Sequence, residues 1–299
     1  MIPQQPAAEN RGRLEAAEPR IAILVLGCLL TVYQRCIDII RATWASRSVA
    51  NVDIFYVYGG QYAKADQPMV DVEHLICRAR PALRDGEVWE SGDILLCGST
   101  DIREGQPDCI LRKRLHAFRH LAKLRAYDFV YTVCACSYVD VERLKRYVSA
   151  LPPTGVYHGV LHVHGESGYP FLSGASFLLS RDLAADLGEN DEKIISDYPD
   201  VMPDDVVIGH FIATRHCPEP LAEISRRIVA ATRPTDNQTF VMPYGHGSMD
   251  FVTAPSYSQV PNEPSYHFHF NSRRMWDMEN FHRRFFAPHE SRATGSRRP

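Results

Sequence analysis

The sequence has no long apolar run and no excess of either charge, and each shortage excludes a class of protein. Its longest apolar stretch, residues 21–30 with one glycine, is too short to span a bilayer, so no transmembrane segment is expected. The 33 Lys and Arg residues against 36 Asp and Glu residues leave a formal net charge of -3. Nucleic acid is therefore not expected as a partner. A hydrophobic content of 45% and a charged content of 23% are typical of a soluble globular protein.

No signal peptide is expected ahead of the eight cysteines of this sequence. Several of these cysteines lie in apolar runs, such as Cys28 in LGCLL and Cys97 in ILLCG. A free thiol in such a run behaves as a small hydrophobic side chain. We therefore expect a reducing, cytoplasmic compartment and no disulfides.

Neither an internal repeat nor a long polar linker divides the chain. Residues 1–19, rich in Gln, Pro, Ala and Glu, predict a disordered leader, and residues 289–299 predict a tail. Between them, residues 20–288 are long enough to bury one large core. We predict a single domain over this range.

Short apolar runs alternate with amphipathic stretches over the first 150 residues. The continuous apolar run at Arg20–Leu26 is typical of an inner strand that is covered on both faces. This β-α-β alternation predicts an α/β fold with a mixed, mostly parallel sheet and helices on both faces. The further predicted strands are 53–58, 92–97 and 127–133, and the predicted helices are 36–46, 110–124 and one that begins at Asp140.

The second half of the chain is less regular. Gly155–His164 alternates with period 2 and predicts a strand, and two more strands are predicted at Gly168–Ser180 and Tyr266–Phe270. Helices are predicted from Arg181 and over 276–286.

The strand predicted at 127–133 runs into a short polar turn, Cys134–Ser137, ahead of the helix that begins at Asp140. Open α/β sheets bind their ligands at the carboxyl ends of their strands. We therefore expect the chemistry of this protein to lie at this turn.

Four segments, in this order, resemble the Fringe and β-1,3-galactosyltransferase-type glycosyltransferases. The resemblance implies a GT-A fold with a Rossmann-like sheet and an inverting hexosyltransferase reaction. It also implies a nucleotide-sugar (UDP-sugar) donor and a saccharide or other hydroxyl acceptor. The four segments are IIRATW (39–44), DIL (93–95) with the later Lys113 in LRKRL, YPFLSGASFLLS (169–180) and PDDVVIG (203–209).

The chain departs from this family at the predicted functional turn. Where the family carries an acidic D-D-D or D-x-D cluster that holds a divalent metal, this chain has Cys134-Ala135-Cys136-Ser137, with no carboxylate before Asp140. Thiols are poor ligands for Mn²⁺ or Mg²⁺, so a metal requirement stays open. Two hypotheses follow: an enzyme that neutralises the donor diphosphate with side chains or amides, or a catalytically inactive relative that binds a nucleotide or carbohydrate.

An inverting transfer needs a base that takes the proton of the acceptor hydroxyl. Asp204 and Asp205 are the candidates, and the family's motif favours Asp205. They open the segment Pro203–Ile212, which is compatible with an apolar helix or a strand. The alternative role for either residue is to cap a helix N-terminus.

The donor nucleotide needs cations, hydrogen-bond donors and closely approaching backbone. Lys113 and Arg41 are predicted to neutralise the diphosphate, and a solvated helix face is the alternative for both. Further candidates for donor binding are Asp93, Cys134, Ser137, Ser173, Gly174, His267 and His269.

A zinc centre is the rival interpretation of the same turn. Cys134 and Cys136 are soft ligands, and His158, His162 and His164 share one face of a regular strand. On a strand, His162 and His164 lie about 13 and 20 Å from His158, too far for one ion to bind all three. Only His162 and His164 are close enough to share one.

Overall fold

The computed structural model describes residues 18–61, 68–101, 108–124, 127–198, 202–217, 265–267 and 274–287. The predicted tail and nearly all of the predicted leader lie outside the described residues, so these two boundaries stay predictions.

Seven of the described strands form a central sheet, and two form a separate ribbon. The strands are β1 (Ile21–Leu26), β2 (Val52–Gln61), β3 (Val88–Ser91), β4 (Ile94–Thr100), β5 (Phe129–Cys134), β6 (Ser137–Val139), β7 (Tyr157–Val163), β8 (Pro170–Ser180) and β9 (Ser265–His267). The sheet has the order β3-β4-β2-β1-β5-β8-β7, and β6 pairs with β9. The neighbours β4, β2, β1 and β5 are parallel, while β3 and β8 run antiparallel to them.

Helices cover both faces of this sheet. One hydrophobic cluster joins the sheet to α1, α4 and α8, and a second joins it to α3, α5 and α7. The described helices are α1 (Thr31–Ala42), α2 (Val72–Ile76), α3 (Asp108–Leu124), α4 (Val141–Val148), α5 (Arg181–Glu189), α6 (Asp191–Asp197), α7 (Asp204–His216) and α8 (Arg274–Phe285).

The central position of β1 explains its unbroken apolar sequence. All six residues are buried, because β2 and β5 flank the strand and helices cover both of its faces. Ile21, Ile23 and Val25 belong to the first hydrophobic cluster, and the alternate residues belong to the second. The predicted α/β class, with one mostly parallel sheet between two helical layers, is confirmed.

Strand register brings β8 beside the turn that follows β5. Cys134, the last residue of β5, pairs in register with Leu26, the last residue of β1. Antiparallel β8 pairs Ser176 with Val133, so its preceding residues lie alongside the end of β5. Ser173 and Gly174 are therefore carried to the carboxyl edge of the parallel strands.

Two short elements, α2 and β3, lie in a polar stretch where the sequence predicted neither. Helix α2 has five residues, and the Asp71 side chain caps it by accepting a hydrogen bond from the Glu73 amide. Strand β3 is an edge strand with half-buried residues, so it has no apolar run. Their periodic signals are too short to detect.

The ambiguous segment Pro203–Ile212 forms the start of helix α7. Buried residues follow one another through Val206–Gly209 and again at Phe211–Ala213. A helix covered on nearly all sides shows no clear apolar stripe, which explains why its period does not distinguish it from a strand. No described helix combines the length and the apolar character that crossing a membrane requires.

Candidate functional site

Asp205 lies in the first turn of α7 with its carboxylate held against β8. Its Oδ2 accepts a hydrogen bond from the Gly174 amide at 2.7 Å, and its Oδ1 accepts one from the Val206 amide at 2.9 Å. Burial, reinforced by the neighbouring charge of Asp204, raises the pKa of Asp205 to about 6. The carboxyl group therefore changes its protonation state close to neutral pH, as a general base requires.

Gly174 fits this arrangement because the aspartate approaches its backbone closely. A Cβ at position 174 would lie 3.1 Å from Asp205 Oδ2, closer than an ordinary van der Waals contact. The neighbouring Ser173 accepts a hydrogen bond from the Ala175 amide at 3.4 Å through its Oγ. Gly174, predicted from the sequence with Ser173 to approach a ligand, thus lies on the part of β8 that faces α7.

The guanidinium of Arg114 joins α3 to this cluster. It is 1% exposed; Nη1 pairs with Asp204 Oδ2, and Nη2 donates to the Gly174 carbonyl at 3.3 Å. The group also lies over the ring of Phe177, 4.8 Å from the ring centre. Arg114 is not among the residues predicted from the sequence. The only indication in the sequence is that Arg114 adjoins the predicted Lys113. Successive residues of a helix point about 100° apart, so the two side chains reach different surroundings.

Cys134 and Cys136 complete the cluster at the end of β5. Cys134 is partly exposed and donates through Sγ to the Gly174 carbonyl at 3.3 Å. Cys136 is buried, and its hydrogen bond to Cys134, aided by Arg114, lowers the pKa of the Cys134 thiol against the effect of burial. Cys134, Gly174, Asp204 and Asp205, predicted from separate segments, therefore come together around the Arg114 guanidinium.

Ser137 lies on the other side of the turn, at the start of β6. Its Oγ donates to the Ala175 carbonyl at 3.4 Å, and its carbonyl accepts from Trp44 Nε1 at 3.2 Å. The ribbon pairs Ser137 with His267, whose backbone therefore lies beside the turn. The predicted His269 lies outside the described residues.

Lys113 is buried in a different group of charges. Its Nζ donates to Asp101 Oδ1 at 2.9 Å, to the Gly27 carbonyl at 2.9 Å and to the Asp101 carbonyl at 3.3 Å. Burial opposes its charged form, but the contact with Asp101 leaves the pKa of Lys113 raised. All three hydrogens of the ammonium are thus directed to protein oxygens.

Arg41 and Asp93 pair with each other away from the turn. Arg41 Nη2 donates to both carboxylate oxygens of Asp93 at 3.0 Å, and the guanidinium lies 4.3 Å from the centre of the Tyr56 ring. Asp93 directly precedes β4, which is separated from β5 by β2 and β1. Three strand spacings amount to about 14 Å, so this pair does not join the cluster around Asp205.

The groups at the turn do not suit Mg²⁺ or Mn²⁺. Both oxygens of Asp205 accept amide hydrogens, Asp204 pairs with Arg114, and the turn itself supplies two thiols. Hard divalent ions prefer several free oxygen ligands. Within the described ranges, no three His, Cys, Asp or Glu residues are arranged to hold a metal ion.

His158 and His162 on β7, and His164 just after it, do not share one environment. The pairing of β7 with β8 shifts register between Gly159 and Leu161, where the extra residues lie in β8. His158 is buried, with its Nδ1 2.7 Å from the Tyr147 hydroxyl, whereas His162 is exposed. His164 Nδ1 lies 2.9 Å from Ser167 Oγ. The three side chains therefore differ in exposure and in hydrogen-bond partner, and their common face stays a prediction.

Comparison with solved structures finds glycosyltransferases. A glycosyltransferase involved in glycosylation of the major capsid of PBCV-1 is 12% identical with a TM-score of 0.39, over 88% of this chain and 100% of that one. The galactosyltransferase LgtC, solved with donor and acceptor sugar analogs, is 11% identical with a TM-score of 0.41, over 88% of this chain and 94% of that one. The glycosyltransferase GlyE of Streptococcus pneumoniae TIGR4 is 13% identical with a TM-score of 0.29, over 71% of this chain and 43% of that one.

No protein-family model matches the sequence, and a search of curated proteins finds no match. We therefore infer function from the residues of this chain.

Proposed function

We propose that this protein is a GT-A-type glycosyltransferase. In this proposal it transfers a sugar, with inversion, from a nucleotide donor such as a UDP-sugar to a saccharide or other hydroxyl acceptor. The observation that supports it best is the carboxylate of Asp205, oriented by two amides at the carboxyl edge of the parallel strands. This is the edge at which open α/β sheets bind their ligands.

Asp205 has the properties of a base for the acceptor hydroxyl. Because its pKa is raised to about 6, most of the group is ionised at neutral pH and can still accept a proton. The amides of Gly174 and Val206 each occupy one lone pair, and an ionised carboxylate has about four acceptor positions. Acceptor positions therefore stay free for the substrate hydroxyl. Direct displacement at the anomeric carbon needs only one such base.

Asp204 and Arg114 act, in this proposal, as positioning residues. Arg114 pairs with Asp204 and holds the Gly174 carbonyl, while the Gly174 amide holds Asp205. The guanidinium thus neutralises one of two adjacent carboxylates, and the other remains to titrate. Two unpaired carboxylates so close together would not both ionise readily.

The donor diphosphate is proposed to lie over the turn of Cys134 and Ser137 and the adjoining residues Ser173 and Gly174. His267 is the proposed cation, since its backbone pairs with Ser137. Lys113 and Arg41 stay predictions as donor ligands. Because each already pairs with a carboxylate, contact with a diphosphate would require it to leave that partner.

The test is an assay of UDP release from several UDP-sugars with a panel of saccharide acceptors, with and without Mn²⁺. We expect acceptor-dependent release by the wild type and a loss of about 100-fold or more in kcat for Asp205→Asn, the usual cost of removing a general base. Asp197→Asn, on the exposed end of α6, is the matched control and should keep the wild-type rate.

Full turnover by Asp205→Asn would remove this residue as the base. Failure of the wild type to release UDP from any donor would contradict the transferase proposal as a whole.

A second candidate is a catalytically inactive relative that binds a nucleotide or carbohydrate. The ligand chemistry of the turn favours it, because thiols occupy the place of a metal-binding carboxylate cluster. A ligand that binds only the folded state raises the midpoint of thermal unfolding. UDP should then raise the midpoint while no sugar is transferred. Unchanged midpoints with UDP and with the sugars would contradict this candidate.

A further inference from the structure

The two thiols at the end of β5 have a chemistry that the proposed transfer does not use. Cys134 is the last residue of the strand, and Ala135 and Cys136 form the two-residue turn to β6. The turn keeps the two residues close together, and a hydrogen bond from Cys136 lowers the pKa of the Cys134 thiol. Residues two apart in such a turn fall within the range of Cα separations that a disulfide tolerates.

The surroundings of the pair divide the thiols into an attacking and a resolving group. Cys134 is partly exposed, whereas Cys136 is 1% exposed, so Cys134 is the more accessible residue of the two. The buried guanidinium of Arg114 reaches the same Gly174 carbonyl that accepts from Cys134. The charge of Arg114 favours the Cys134 thiolate, the reactive form of cysteine, against the opposing charges of Asp204 and Asp205.

We propose that Cys134 and Cys136 form a modification site at which hydrogen peroxide converts the dithiol into an intramolecular disulfide. The Cys134 thiolate attacks one peroxide oxygen, the O–O bond breaks, and the released hydroxide takes up a proton to form water. Cys134 is then a sulfenic acid. The Cys136 sulfur displaces its hydroxyl, which takes the Cys136 proton and leaves as a second water. Two electrons pass from the thiols to the peroxide, which is reduced to two water molecules.

The disulfide would alter the cluster around Asp205. A Cys134 sulfur bound to another sulfur has no hydrogen to donate, so the contact with the Gly174 carbonyl is lost. The Gly174 amide is the donor that orients Asp205. We therefore expect oxidation to lower sugar transfer and a thiol reductant to restore it; this consequence alone depends on the proposed function.

The chemistry can be tested without any activity assay. The full chain is treated with hydrogen peroxide, its remaining thiols are blocked with N-ethylmaleimide, and tryptic peptides are weighed. Residues 126–143 form one tryptic peptide that contains Cys134 and Cys136 and no other cysteine. We expect this peptide to be lighter by two hydrogen atoms and free of maleimide, and to take up two maleimides after reduction. Exposed Cys77, which has no neighbouring cysteine in sequence, reports reagent access.

Two variants separate the roles of the thiols. In Cys136→Ser the resolving thiol is missing, so the Cys134 sulfenic acid should accumulate and be trapped by dimedone. In Cys134→Ser, buried Cys136 should give no dimedone adduct. Two maleimides on the wild-type peptide after peroxide treatment, with Cys77 accessible, would overturn the proposal. A disulfide to any other cysteine, or between two chains, would also overturn it.

The measurement of UDP release before and after oxidation tests a separate point. If the disulfide forms and UDP release is unchanged, the coupling to Asp205 is wrong and the modification site stands. If the reduced wild type shows no UDP release at all, the proposed function fails while the peptide masses still decide the modification site.

Discussion

Lys113 and Arg114 are neighbours on α3, yet their carboxylate partners lie in different surroundings. The Lys113–Asp101 pair has side chains that are 3% and 0% exposed, and Asp101 also accepts from the amides of Leu29 and Gly59. Arg114 instead meets Asp204 next to half-buried Asp205, whose pKa is raised to about 6. A fully hydrogen-bonded pair stabilises the packing of the strands, whereas an incompletely paired carboxylate is available for proton transfer.

Two neighbouring cations of α3 thus belong to two different kinds of charged cluster. Asp101 connects the loop after β1, strand β2 and helix α3, because its oxygens accept from one group on each. The cluster at Asp205 has one more carboxylate than guanidinium among the groups described above. Burial with complete hydrogen bonding is typical of structural charges, and a perturbed pKa at a sheet edge is typical of functional ones.

The largest expected effect comes from removing one member of the structural pair. Lys113→Met leaves the Asp101 carboxylate buried without its cation, which costs about 3–5 kcal/mol in unfolding free energy for a buried pair. Chemical denaturation measures the loss. Lys193→Met, in an exposed pair on α6, is the control and should leave the denaturation midpoint unchanged. A stable Lys113→Met protein would show that the pair does not hold the strands as we infer.

The next effect is a change in the pH dependence of transfer. Since ionised Asp205 is the active base and its pKa is raised to about 6, the rate should fall as pH drops through about 6. Asp204→Asn removes a charge that raises this pKa, so the fall of the rate at acidic pH (the acidic limb of the pH profile) should move to lower pH. Arg114→Gln removes a cation that lowers it, so the limb should move to higher pH.

These opposite shifts are measured as kcat/KM against pH, with the fold of each variant checked by circular dichroism. A purely structural role for Arg114 and Asp204 would lower the rate at every pH without moving the limb. Shifts of the same sign in both variants would contradict the charge assignment at Asp205.

The smallest expected effect concerns the wall of the site. Gly174→Ala places a methyl group 3.1 Å from Asp205 Oδ2, so the carboxylate must move by a few tenths of an ångström. We expect a loss of several-fold in kcat, since small misplacement of a reacting group slows the chemical step. Gly165→Ala, where a Cβ meets nothing within 4 Å, is the matched control and should keep the rate. Equal rates in both variants would indicate that Gly174 is not needed for close approach.

Local patterns predicted much of the fold but only part of the candidate site. The unbroken apolar run Arg20–Leu26 and the helical spacing of apolar residues along α3 reveal burial, and the Asp140 cap of α4 lies where the sequence placed it. The register shift between β7 and β8 and the short elements α2 and β3 carry no such periodic signal. Among the site residues, Arg114 was missed because nothing in LRKRL distinguishes a cation that points to Asp204 from one that points to Asp101.

The sequence by itself determined the α/β alternation and the thiol-bearing turn, because secondary structure follows from local spacing of apolar residues and from residue type. Only the tertiary structure decided which charges meet: Arg114 with Asp204, Lys113 with Asp101, and Arg41 with Asp93. These pairs join residues 12 to 90 positions apart. Such contacts depend on strand order and on helix rotation over the sheet, which no local pattern encodes.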